Sequence, residues 1–256
     1  MRHLPADQNT TKILIHMLIS LNYAIFALAI ALSLDLFRRP QRYREAAIHM
    51  LLFAIAALLG GLAHHMDAEQ AQVSRWLHSL NTELPRHSRV GSFHNVYLRV
   101  WLATFFAIGL TEYYFMRIFL HPLAERYGFH WVKGCLVLSL ALFCVASLLI
   151  SQYSLVVVFH LLTHLLVIGF SLYLIFVQGL KLFWLLIALV ALNLAAGGIW
   201  SLMALGDIPT GPLHYNDWYH LIIMVFLVFL HQVLTRGKLV DTLHSMTPAS
   251  PTPLTD

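Results

Sequence analysis

Seven runs of apolar residues divide this chain, each long enough to cross the ~30 Å hydrocarbon core of a bilayer as a helix. They cover residues 13–37, 46–64, 96–120, 131–150, 155–177, 182–205 and 218–234. Helices that are apolar all round have no face to offer water, so such a chain buries them in lipid and against one another. Its 59% apolar and 11% charged residues, with mean hydropathy +0.72, lie outside the range of soluble domains. The expected fold is an all-α integral membrane protein, a seven-transmembrane helix bundle. The first run is too long for a secretory h-region, is not closed by an Ala-x-Ala site and is followed directly by Arg38 and Arg39, so it reads as a retained span. Cys135 and Cys144 in the fourth run lie about 13 Å apart along the helix axis, too far to bridge.

The basic residues orient the bundle. Ten of them, Arg38, Arg39, Arg42, Arg44, Arg117, Arg126, Lys133, Lys181, Arg236 and Lys238, fall on one side, and six, Arg2, Lys12, Arg75, Arg86, Arg89 and Arg99, on the other. The positive-inside rule then puts the N-terminus outside and the C-terminus in the cytoplasm. Topology therefore accounts for the pI near 9.2, and no basic patch interleaved with aromatics points to nucleic acid. The helical domain spans 1–240. Within it, the outside loop 66–95 carries Val73, Trp76, Leu77 and Leu80 at helical spacing, which predicts a short interfacial helix able to cover a site on that face. Residues 241–256, ending in a Pro- and Thr-rich stretch, are expected to form a disordered tail. Gly60-Gly61 and the stretch Ala195 to Gly198 are small enough to let helices approach closely.

Ionisable side chains at membrane depth are costly, so histidines gathered inside a bundle point to function. His64 and His65 close span two, His160 and His164 lie early in span five, and His214, Asn216, Asp217 and His220 open span seven. An odd number of spans places all these ends on one side. His160 and His164 are one helical turn apart, about 6 Å along the axis, and can grip one ion. With His65 and His220 they offer neutral imidazoles from three helices, a set that suits zinc with one position left for water. His16 is a weaker contributor from a helix end. Each histidine can also be read as a helix-end residue reaching water or headgroups. Glu112, the carboxylate deep in span three, reads as half of an internal ion pair, with Arg117 nearby, or as a protonated acid bonded to a neighbour. His3, His78, His87, His121, His130 and His244 fall in loops or tails.

Seven spans, a small-residue-x-x-x-His pattern from Gly61 to His65, and His220 at the outer start of span seven resemble the CREST superfamily of membrane metallohydrolases, which includes alkaline ceramidases and adiponectin-receptor-like proteins. Those families gather a Ser-x-x-x-His in span two, an Asp in span three and a His-x-x-x-His in span seven around zinc. Here Gly61 replaces the Ser, span three has no Asp, span seven reads Asn216-x-x-x-His220, and the His-x-x-x-His lies in span five. The resemblance therefore reaches His65 and His220 alone. The Gly-Gly-x-x-His and Asn-Asp-x-x-His patterns also resemble an uncharacterised bacterial membrane family.

The resulting expectation is a zinc-dependent hydrolase acting on a lipid-like amide or ester within the bilayer. Asp217 is its candidate base or the partner that orients His220, with Asp67 as a substitute. Two other readings stay open. His49 with His64 and His220 with His231 can stack two layers for haem b, although their rises differ, about 22 Å against 16 Å. A non-enzymatic receptor or transporter could instead use the histidines to line a polar cavity or sense pH.

Overall fold

A computed structural model describes residues 8–126, 128–150, 152–206, 215–236 and 239–245. Every regular element among them is helical: α1 (Gln8–Phe37), α2 (Arg44–Ala68), α3 (Gln70–Glu83), α4 (Phe93–Arg126), α5 (Trp131–Ile150), α6 (Tyr153–Phe176), α7 (Phe183–Gly206), α8 (Tyr215–Thr235) and α9 (Leu239–Ser245). Each apolar run falls on one helix. Six helices are long and apolar enough to cross a membrane, and α7 carries a shorter described apolar stretch, Phe183–Ile199. The sequence and the structure thus agree on a helical, multi-pass membrane type of protein.

The packing order is a closed ring. α1 lies against α2, α2 against α4, α4 against α6, α6 against α7, α7 against α8, and α8 returns to α1. α5 stands outside this ring, in the angle between α4 and α6. Two glycines set the close approaches. A Cβ on Gly61 would come within 3.0 Å of Asn22 Cβ on α1, and one on Gly109 within 2.5 Å of the Phe143 ring on α5. Phe143 in turn stacks on Phe159 of α6 with ring centroids 4.4 Å apart, which ties α5 to both neighbours.

The outer surface is apolar. Leu138, Leu142 and Leu149 of α5, Leu162 and Phe176 of α6, and Phe229 of α8 are all exposed. A water-facing surface built this way would aggregate, and an acyl-chain environment removes that cost. Inside, hydroxyls are satisfied locally: Thr104, Thr111 and Ser171 each donate to the carbonyl four residues back, at 2.8, 2.8 and 2.7 Å.

Charged pairs cluster where α1 ends, α2 begins and α8 ends. Arg39 and His231 share Asp35, Arg42 meets Asp241, and Arg117 pairs with Glu45. The predicted helix after α2 is present as α3, with Leu77 buried and Trp76 exposed. Residues 241–245 differ from the expected tail, since they complete α9. Leu239, Val240 and Leu243 are buried, because apolar residues at that spacing give α9 one face to lay on the bundle. The rest of that tail, 246–256, lies outside the described residues.

Candidate metal centre

α4 and α6 meet at a cluster built on Glu112. His160 Nδ1 donates to Glu112 Oε1 at 2.7 Å, and Thr163 Oγ1 reaches Oε2 at 2.5 Å. One turn along α6, His164 places Nδ1 3.4 Å from Oε2 and 2.9 Å from the His160 carbonyl oxygen. Helical periodicity makes this possible, since residues three and four apart share a face. The imidazole centroids of His160 and His164 are 4.0 Å apart. From α7, Asn193 Nδ2 lies 2.8 Å from His164 Nε2, and Phe115 stacks on the same ring at 5.0 Å.

One donor atom from each of Glu112, His160 and His164 lies within 4.8 Å of the others, so the group can hold a metal ion. The spacing suits a small one. Zinc–ligand bonds of ~2.0–2.1 Å in a tetrahedron separate ligand atoms by about 3.3 Å. The 3.4 Å between His164 Nδ1 and Glu112 Oε2 matches that edge, whereas the 2.7 Å contact of His160 Nδ1 runs to the other oxygen, Oε1, and has to lengthen and give up its proton before that nitrogen can ligate.

His164 and Glu112 are buried, whereas the His160 side chain keeps 24% of its surface exposed. That surface faces a cavity of about 280 Å³ inside the ring. α1 lines it with Asn22, α2 with His64, α4 with Trp101, Thr104 and Glu112, α6 with Tyr153 and His160, α7 with Asn193, and α8 with Asn216, Tyr219 and His220. α5 contributes nothing, as its place outside the ring requires. Ile25, Phe53, Ile108 and Val157 make the remaining walls apolar. His164 is the twelfth of the 24 residues of α6, so the cluster sits at mid-length of the bundle. His64 lies near the end of α2 and His220 near the start of α8, so the cavity runs from the cluster towards the α2–α3 end.

The histidines singled out from the sequence separate accordingly. His160 and His164 come together. His220 lines the cavity with Nδ1 2.5 Å from the Asn216 carbonyl oxygen, leaving Nε2 as its acceptor. His65 is exposed, and its neighbour His64 takes the place on the cavity wall, edge-on to Trp101. Asp217 is wholly buried and is not part of the cavity lining, and Asp67 is exposed. His214 and the side chain of His16 lie outside the described residues. Of the inner residues considered for haem, His49 Nδ1 meets the Thr111 carbonyl at 3.0 Å and His231 Nε2 meets Asp35 at 2.8 Å.

The sequence offers Glu112 an ion pair with Arg117 or a proton shared with a neighbour. Arg117 instead turns to Glu45, and the partners of Glu112 come from α6. No sequence motif points to Asn193. The available signal is positional: Glu112 is a carboxylate near the middle of α4 and Asn193 an amide near the middle of α7, as His164 is an imidazole near that of α6.

A family model covers residues 17–238, nearly all of the helical bundle and both sides of this cluster. The chain belongs to DUF6962, a family of unknown function. No curated protein and no solved structure matches it. The DUF6962 match adds no activity, so the chemistry must be argued from the residues.

Proposed function

We propose that this DUF6962 protein is a membrane-embedded, zinc-dependent hydrolase of a lipid-like amide or ester. The observation that carries the reading is the Glu112/His160/His164 group, three donors of which two, Glu112 and His160, line a partly apolar cavity. Three protein ligands and one open position are the pattern of catalytic rather than structural zinc. Zinc held there supplies Lewis acidity and an acidified water. Glu112, His160 and His164 hold it, and Thr163 fixes the Glu112 carboxylate. His220, its Nδ1–H committed to Asn216, presents Nε2 to the cavity as proton acceptor, a role the sequence had suggested for Asp217. Ile25, Phe53 and Val157 offer the acyl chain an apolar wall.

In this reading seven spans cross the bilayer, α7 included, with the N-terminus outside and the cavity opening on the outer side. The likeness to the CREST hydrolases supports the reaction class, with the ligands drawn from spans three and five. Purified wild-type protein is expected to carry about one zinc and to cleave fluorogenic acyl amides or esters. Glu112→Gln and His160→Ala should lose metal and activity together, and His220→Ala should keep the metal and lose activity. Full activity in metal-free protein overturns the proposal. His64 and His220 on one cavity also suit an axial pair for haem b, and a Soret band without zinc in the same sample selects that reading.

A further inference from the structure

Asn193 is 4% exposed, and its Oδ1 is buried with no hydrogen bond among the described residues, while its Nδ2 points at His164 Nε2. A buried amide with one end unused is costly, and either end of this side chain fits the same space. The orientation present has a chemical consequence. With Asn193 donating to Nε2, the ring proton sits on Nδ1, where the His160 carbonyl and Glu112 Oε2 surround it at 2.9 and 3.4 Å. Both nitrogens of His164 are then occupied, and the ring has no lone pair for a metal.

We propose that Asn193 is the positioning residue that sets the tautomer of His164 and thereby admits the metal. Turning the amide end for end brings Oδ1 to His164 Nε2. The proton then moves from Nδ1 to Nε2, where Oδ1 accepts it, and the Nδ1 lone pair faces Glu112 and His160. Metal-bound histidines are held in this way, one nitrogen ligating and the other donating to an oxygen acceptor, and loss of such an acceptor costs 10- to 100-fold in affinity. The amide supplies a donor to the closed cluster and an acceptor to the loaded one, which an Asp or an apolar residue cannot do.

The inference rests on the metal reading above, and one set of measurements separates the two. Full-length protein in detergent is titrated with Zn²⁺ against a competing chelator as wild type, Asn193→Leu, Asn193→Asp and His164→Ala. Asn193→Leu should bind 10- to 100-fold more weakly, and Asn193→Asp, an acceptor in every orientation, should bind at least as tightly as wild type. In ¹⁵N-histidine spectra, with His164→Ala giving the assignment, the ring should carry its proton on Nδ1 without metal and on Nε2 at saturation. This readout needs no Asn193 variant, so it stands even if Asn193→Leu does not fold. Binding within threefold of wild type in folded Asn193→Leu, or a proton that stays on Nδ1 at saturation, overturns the role of Asn193 and leaves the metal site standing. Absence of Zn²⁺ binding in the wild type overturns both.

Discussion

Glu112 is satisfied by three different groups, and each would be stranded differently without it. Replacing it by Ala leaves His160 Nδ1 without its acceptor, while the Thr163 hydroxyl and His164 Nδ1 keep the His160 carbonyl oxygen, at 2.8 and 2.9 Å. Breaking a buried charge pair from one side costs about 3–5 kcal/mol, because the surviving partner, here His160, is left unpaired. Glu112→Gln keeps an oxygen for one donor and fills the volume, so about 1–2 kcal/mol is expected. Thermal unfolding of metal-free protein in detergent should therefore rank wild type, Gln and Ala in that order. Equal melting temperatures for wild type and Glu112→Ala would show that the cluster contributes nothing to stability. At this scale little was legible in the sequence. The His160/His164 pair could be read because both members lie on one helix, whereas Glu112 and Asn193 acquire meaning only when α4 and α7 are set beside α6. His64 and His65 show the same limit: adjacent helical residues point about 100° apart, so only one can face the cavity, and nothing local chooses between them.

Between elements, glycine positions decide how closely helices pack. The Phe143 ring that lies over Gly109 is itself 3% exposed and stacked on Phe159, so it has nowhere to go when a methyl group is added. Gly109→Ala is expected to destabilise the protein by about 1–3 kcal/mol through overpacking, loosening α5 from α4. Gly169, in α6, meets nothing within 4 Å, so Gly169→Ala should be neutral or gain up to about 1 kcal/mol from helix propensity. Paired denaturation curves check the contrast, and a loss at Gly169 as large as that at Gly109 would contradict the packing described. Elements were the most legible level. Long apolar runs can only be helices in lipid, and the spacing of Val73, Trp76, Leu77 and Leu80 foretold α3. α9 was missed because seven residues are too few for a periodic signal beside a polar tail, although Leu239, Val240 and Leu243 already carried its buried face.

For the whole molecule, insertion is decided by charge as well as by hydropathy. The ten basic residues assigned to the cytoplasmic side include Arg38, Arg39, Arg42 and Arg44, all within or beside the connection between α1 and α2. Changing these four to Gln leaves six basic residues on each side, which removes the asymmetry on which the proposed orientation rests. Two of them also act in the folded protein, Arg39 on Asp35 and Arg42 on Asp241, so stability is a poor readout of their topological role. Reporter fusions avoid this, because they record the side reached during insertion rather than the strength of the final packing. In wild type, a C-terminal fluorescent protein should mature and a C-terminal alkaline phosphatase should stay inactive, while phosphatase inserted between α3 and α4 should be active. The four-fold Gln variant should give both phosphatase signals at intermediate level, a mixed population. Wild-type fusions reporting both positions on one side would remove an odd number of spans from the region between them, and with it the orientation that opens the cavity outward.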